Sequence, residues 1–282
     1  MENIVFAAVL VGALSHASWN SLIKGVALDP LSVTTLICIG SAVVSFVMLP
    51  FVGNPAWAVW PWLIASLVIH LVYFAALAEA YRAGDLGQVY PIARGSAPLM
   101  TAAATTFFIG EHLSLLAWIG IVVLVSGVVL LSLKGGRDIA KIDRRAVGYA
   151  LLTAASICAY TVVDGIGARV SGNSLGYVLW LFITTPLVVL PYALYRDGWA
   201  IMPAMTDYWR RGLFGGTFQI VSYGIVLWAM TLVPIAIVAT LRETSVLFGA
   251  VIAVVILKEP LRPIRIAAAV LVVCGLTLIR LQ

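Results

Sequence analysis

Charged residues are scarce in this sequence. Asp, Glu, Lys and Arg make up only 10% of its 282 residues, whereas soluble domains contain roughly 25%. The chain therefore lacks the polar side chains needed to cover a water-exposed surface, and its 62% apolar content indicates a protein embedded in lipid. The excess of Lys and Arg over acidic residues does not indicate nucleic-acid binding, because these residues lie in short loops between apolar runs.

Residues that form covalent or metal-bound sites are also few. Each of the three cysteines lies inside an apolar run, which argues against a disulfide framework or a metal site. The three histidines are scattered, and the chain has no His-Glu-x-x-His motif. A membrane-embedded enzyme is therefore the weaker alternative, and we expect no catalytic residue, no cofactor and no metal ion.

Long apolar runs dominate what is present. A helix needs about 20 apolar residues to cross the hydrocarbon, and the runs are continuous rather than alternating, which favours helices over a barrel. The sequence predicts an all-α polytopic membrane protein with ten transmembrane helices, at 4–23, 31–52, 58–80, 86–108, 113–133, 146–168, 174–195, 212–232, 235–256 and 262–280.

An internal repeat organises these spans. Residues 94–133 align without a gap to 242–281, so that Arg94 pairs with Arg242, Glu111 with Glu259 and Gly127 with Gly275. The pattern predicts two five-helix halves, 1–133 and 146–282, joined by a basic linker at 134–145. An odd number of spans per half inverts one half relative to the other, as in many transporters with a midplane substrate site.

The loops divide unequally in charge. Loops on one side of the predicted membrane hold thirteen Lys and Arg, while the side with both termini holds only Arg169 and Arg280. The positive-inside rule places the thirteen in the cytoplasm and both termini outside, on the periplasmic face of an inner membrane. Because each half supplies one part of the pseudo-symmetric site, a monomer is expected to suffice.

Several motifs resemble those of a known family. Ser15-His16-Ala17-Ser18-Trp19-Asn20, Tyr90-Pro91-Ile92-Ala93-Arg94 and Leu241-Arg242-Glu243-Thr244-Ser245 are similar to segments of EamA-type members of the drug/metabolite transporter superfamily. Gly110-Glu111-His112-Leu113 and Lys258-Glu259-Pro260-Leu261 complete the resemblance. It implies a 5 + 5 inverted repeat around a central cavity and transport of metabolites such as amino acids, often outward. The His-Ala-x-Trp-Asn start resembles one subgroup, some of whose members are linked to phosphonate-utilisation genes.

Charged residues within the spans are candidates for substrate binding, because a charge in hydrocarbon is costly unless it faces a cavity or a partner. Arg94 and Arg242 could hold a carboxylate or phosphonate through their guanidinium forks, or could serve a structural role. Glu243 could bind a substrate ammonium, carry a coupling proton or form an ion pair. Asp164 is a cavity carboxylate or a helix cap.

Polar and aromatic residues complete the predicted substrate site. His16, Trp19 and Asn20 share one helix face, which suggests a cavity wall, although interhelical hydrogen bonding is the alternative. The remaining candidates are the aromatic and amide side chains of Tyr73, Tyr160, Gln219 and Tyr223.

The sequence thus predicts a secondary transporter of a small metabolite, an amino-acid-like zwitterion or an organic anion, working by alternating access with export as the expected direction. A flippase for a lipid-linked headgroup shares the architecture and is the main alternative. A gradient must supply the energy, because no Gly-rich phosphate-binding loop with Lys occurs in the chain.

Overall fold

The described chain is helical throughout. The structure, a computed structural model, describes residues 3–23, 30–84, 86–132, 143–199, 201–255, 258 and 263–281. The first half contains α1 (Asn3–Ile23), α2 (Pro30–Val52), α3 (Trp60–Ala83, after a 3-10 turn at Trp57–Val59), α4 (Leu86–Ala104, continued by a π-helical turn at Thr105–Ile109) and α5 (Leu115–Ser132). The second half contains α6 (Arg144–Val170), α7 (Ser174–Thr184), α8 (Pro186–Asp197), α9 (Ile201–Thr206), α10 (Trp209–Met230), α11 (Ile235–Arg242), α12 (Ser245–Val255) and α13 (Pro263–Arg280).

Nine helical segments of the described chain are long and apolar enough to cross a membrane. They coincide with nine of the ten predicted spans, with α7 and α8 forming one segment and α11 and α12 another. The remaining predicted span is α4, a helix of sufficient length that contains Arg94 and two prolines, Pro91 and Pro98. The prediction of an all-α polytopic membrane protein is confirmed.

The two halves repeat one another element by element. The offset that separates Arg94 from Arg242 also carries α1 onto α6, α3 onto α10, and α5 onto α13. It carries α2 onto α7 with α8, and α4 onto α11 with α12. The helix packing is repeated in the same way. The α3–α6 contact corresponds to the α10–α1 contact, and the equivalent helices α5 and α13 pack directly on each other.

Glycines allow the central helices to approach closely. A Cβ at Gly40 of α2 would lie 2.1 Å from the carbonyl oxygen of Gly212 of α10, and one at Gly216 would lie 2.3 Å from the Ser41 nitrogen. In the α5–α13 pair, a Cβ at Gly275 would lie 2.6 Å from the Leu124 nitrogen. Small residues serve this purpose in membranes, where packing rather than the hydrophobic effect drives helix association.

Prolines and polar groups set the helix boundaries. Pro186 is the first residue of α8 and divides the seventh predicted span, whereas Pro91 and Pro98 lie within a continuous α4. The Asp143 carboxylate accepts a hydrogen bond from the Arg145 amide and so caps α6. Glu259, the sequence counterpart of Glu111, and residues 134–142 of the linker lie outside the described residues.

Candidate functional site

A cavity of about 310 Å³ lies between the two halves, among α1, α2, α3, α4, α6, α7, α10 and α11. Nine of the eleven predicted substrate-binding residues line it: His16, Trp19, Asn20, Tyr73, Arg94, Tyr160, Gln219, Tyr223 and Arg242. The other two, Asp164 and Glu243, lie behind the wall. They contact the lining residues Tyr223 and Arg94, respectively.

The repeat-related arginines meet at a single carboxylate. Arg94 Nη1 lies 3.3 Å from Glu243 Oε1, and Arg242 Nη2 lies 3.9 Å from the same oxygen. Arg242 is 6% exposed and Glu243 only 2%. Within the described chain, Arg242 Nε and Glu243 Oε2 have no hydrogen-bond partner. The Arg242 pair is longer than a hydrogen bond, so its guanidinium retains donor capacity beside the cavity.

The helix is interrupted where these charges occur. The ninth predicted span, 235–256, is not one helix: α11 ends at Arg242 and α12 begins at Ser245. Between them the Glu243 amide donates to the Thr240 carbonyl and the Thr244 amide to the Leu241 carbonyl, in the tighter i to i−3 pattern. The sequence contains no Gly or Pro here that would have indicated the break.

The predicted face of α1 contacts this charged cluster. His16 Nε2 lies 3.4 Å from Arg94 Nη2 and acts as the acceptor, since a guanidinium can only donate. The Trp19 ring packs edge-on against the His16 ring at 5.2 Å. Asn20 donates to the His16 carbonyl and is exposed at the rim. The face is therefore both a cavity wall and an interhelical contact.

Aromatic rings form the opposite wall. The His70 ring stacks on Tyr160 with their centroids 4.4 Å apart, and Tyr73 packs edge-on against Tyr160 at 5.8 Å. His70 Nδ1 lies 2.8 Å from the Ser66 carbonyl, which can only accept, so Nδ1 carries a proton. His70 has a larger part in the cavity than its position in the sequence indicated.

Asp164 is held by two tyrosines behind the wall. Tyr177 donates to Oδ1 at 2.9 Å, and Tyr223 donates to Oδ2 at 2.5 Å. Asp164 has no exposed surface and lies within α6, so it is neither a helix cap nor a lining residue. Tyr223 also lines the cavity and thus connects it to this carboxylate. Gln219, one turn earlier on α10, accepts from Ser41 at 2.9 Å.

The cavity lies toward one end of the bundle, and an ion pair joins the end of α6 to the loop before α5 at the other end. The lining residues occupy the late parts of α1 and α3 and the early parts of α4 and α6, which meet on the side with basic loops. At the opposite end Arg169 Nη2 lies 2.6 Å from Glu111 Oε1. Arg169 also donates to the carbonyls of Met230 and Val233. The Glu111 carboxylate accepts a hydrogen bond from the Ile235 amide. It therefore lies at the amino end of α11, although in the sequence it precedes α5.

Sequence reasoning missed several residues of the site. Tyr177 was missed as the second partner of Asp164, and so was the Glu111–Arg169 contact. Both contacts join residues that are apart in the sequence, so no local pattern predicts them. Other lining residues are small or apolar and blend into their spans: Thr34, Cys38, Phe74, Leu77, Thr153, Phe182, Thr185 and Ser222.

A groove of about 530 Å³ lies at the membrane-surface ends of α3 and α6, beside the Glu79–Arg82 ion pair. It lies outside the helical core and between exposed side chains. Among the described residues no three His, Cys, Asp or Glu side chains are grouped so as to hold a metal ion.

Comparison with known proteins identifies the family. The EamA-like transporter family matches the chain twice, at residues 3–133 and 144–281. A solved crystal structure superposes with a TM-score of 0.77 at 20% identity, covering 98% of this chain and 98% of its own, so the fold is shared. None of the curated proteins compared with the chain matches its sequence. The chain therefore belongs to the EamA-like transporter family and is a multi-pass, all-α membrane transporter built from two repeats.

Proposed function

We propose that this transporter moves a small organic anion or amino-acid-like zwitterion and binds its anionic group at Arg242. The observation that carries the proposal is the buried Arg242 guanidinium at the cavity wall, with an Nε that lacks a partner in the described chain. A guanidinium binds a carboxylate or phosphonate through parallel hydrogen bonds. Among the described residues its ion partner is Glu243, which lies 3.9 Å away and is shared with Arg94.

The remainder of the cavity supports an apolar or cationic substrate part. Tyr73, Tyr160 and Tyr223 bring aromatic rings to the wall, and Phe74 and Phe182 add two more. Such rings accommodate an apolar group by contact or an ammonium by cation–π attraction. A volume of about 310 Å³ is at the lower end of ligand pockets, which favours a metabolite over a large amphiphile.

We propose alternating access as the mechanism. The halves, 1–133 and 146–282 about the linker 134–145, would rock around the cavity so that it opens to each side in turn. The Glu111–Arg169 contact supports a state closed at the end that bears the termini. In the alternate state this contact would part while the basic end closes. One chain contains both halves, which supports a functional monomer.

The charge of the loops supports an orientation in the inner membrane. Thirteen Lys and Arg on one side favour that side as cytoplasmic, with both termini outside. The cavity would then be accessible from the cytoplasm, which supports export. The family membership supports a transporter rather than an enzyme.

The test is flux from proteoliposomes loaded with amino acids, organic acids, phosphonates, nucleosides and polyamines. We expect saturable release of a carboxylate- or phosphonate-bearing compound, measured by mass spectrometry, and loss of that release in Arg242→Ala. Arg210→Ala removes a cation of the same type from an exposed position and should release at the wild-type rate. Selective release of nucleosides or polyamines alone, or undiminished release by Arg242→Ala, would refute the anion site.

A further inference from the structure

Asp164 is a carboxylate buried behind the cavity wall. It has no exposed surface, and among the described residues it forms no salt bridge. Its oxygens accept hydrogen bonds from the neutral hydroxyls of Tyr177 and Tyr223. An ionised carboxylate in such a site is unfavourable, because hydroxyl donors replace only part of the hydration that burial removes.

The titratable groups around Asp164 come from three of the helices packed on α6. His70 comes from α3, Tyr177 from α7 and Tyr223 from α10. On the cavity side of this cluster, Arg242 of α11 lies near Tyr223. Arg94 of α4 is directed to Glu243 instead.

We propose that Asp164 is the proton-binding site that couples transport to a pH gradient, with Tyr223 as its link to the substrate cavity. This inference rests on the proposed function and names the energy source of the same site. Sodium fits less well, because it needs several oxygen lone pairs whereas both tyrosines direct their O–H protons to the carboxylate. A proton needs only one carboxylate oxygen.

The coupling follows from the position of Tyr223. With Asp164 ionised, the Tyr223 hydroxyl is engaged with Oδ2 at 2.5 Å. When a proton binds Oδ2, the new O–H group can donate to the Tyr223 oxygen, which leaves the Tyr223 hydroxyl proton free to turn away from Asp164. The hydroxyl can then turn toward the cavity, beside Arg242, and donate to a bound anion. Proton and substrate binding thereby become linked through one side chain.

A spectroscopic test needs no substrate. Infrared difference spectra between acidic and alkaline buffers, taken on the full chain in lipid, should contain the C=O band of a protonated carboxyl. Asp164→Asn should lose this band, and Tyr223→Phe should shift it because one hydrogen bond is removed. Asp143→Asn, at the exposed start of the same helix, should retain it. Amide bands and size-exclusion elution report whether each variant is folded.

Two outcomes would overturn the inference. One is a wild-type spectrum whose carboxyl bands all persist unshifted in both Asp164→Asn and Tyr223→Phe. The other is loss of the band on adding sodium at constant pH, which would make this a sodium site.

Transport of a compound released from the loaded proteoliposomes provides a second test of coupling through Asp164. In Asp164→Asn, exchange at equal pH should continue, while accumulation driven by a pH gradient should fall to the level set by the compound's own gradient. Gradient-driven accumulation at the wild-type level would refute coupling through Asp164. If no compound is released at all, the proposed function fails, and the infrared result still decides whether Asp164 binds a proton.

Discussion

Removing the Glu111–Arg169 contact should open the end of the bundle that bears the termini. Arg169→Gln keeps a polar side chain but removes the charge and the fork that reaches Glu111 Oε1 at 2.6 Å and the Met230 carbonyl at 2.7 Å. Because these contacts join α6, α10 and the loop before α5, they can exist only while this end is closed. Glu111→Gln is the matched change on the partner, and it leaves an oxygen for the Ile235 amide.

The magnitude follows from the energy of one hydrogen bond between charged groups. A hydrogen bond to a charged group contributes about 1.5–3 kcal/mol, and every 1.4 kcal/mol is about a tenfold change in an equilibrium constant. Loss of the contact should therefore raise the ratio of open to closed molecules by about 10- to 150-fold. Part of the Arg169 side chain is exposed, at 32%, so the lower part of that range is expected.

The assay is a distance distribution between spin labels at His112→Cys and Leu175→Cys, one in each half at this end, with the three native cysteines replaced. We expect a longer distance to gain population in Arg169→Gln and in Glu111→Gln, with the double variant no more open than the single ones. Unchanged distributions in both variants would refute the closing role. Fully additive effects would mean that the two residues act independently.

Three further predictions concern packing, binding and topology. Gly216→Ala puts a Cβ 2.3 Å from the Ser41 nitrogen and should destabilise the protein by about 1–3 kcal/mol in thermal unfolding, whereas Gly224→Ala, whose nearest contact is 3.7 Å away, should not. Arg242→Lys keeps the charge beside Glu243 but loses the guanidinium fork. The transported compound should therefore bind roughly 10-fold more weakly to Arg242→Lys, and more weakly still to Arg242→Ala. Equal affinity for the wild type and Arg242→Lys would exclude bidentate binding. A tag at the C-terminus should be accessible from the periplasm in intact cells, and protection there would reverse the orientation.

The sequence predicts the fold well because the bilayer constrains it strongly. Every backbone polar group must be bonded within the segment, so a long apolar run is helical. The predicted helix boundaries are wrong where side-chain interactions, as well as the bilayer, shape the segment. The ninth span is interrupted at Glu243–Thr244, where the turn places two charged side chains in the core, and propensity offers no signal for it.

The sequence singles out polar and aromatic residues that gather around one cavity, but it does not show which of them contact one another. Polar residues inside a span must face a cavity or a partner, and nine of those chosen line one cavity. The same rule cannot tell whether a polar side chain faces the cavity or a partner residue. Asp164 and Glu243 satisfied it by facing Tyr223 and Arg94, respectively, behind the wall.

The amino-acid sequence by itself determined that the chain lies in lipid, that it forms helices, that it contains a repeat, and which residue types are candidates for the site. The lengths of apolar runs, the charge of the loops and internal similarity are all properties of the linear chain. Only the tertiary structure decided that Arg94 and Arg242 share the Glu243 carboxylate, that two tyrosines enclose Asp164, and that Arg169 pairs with Glu111. Each of these depends on side chains from helices far apart in the chain, so close packing in three dimensions sets the outcome.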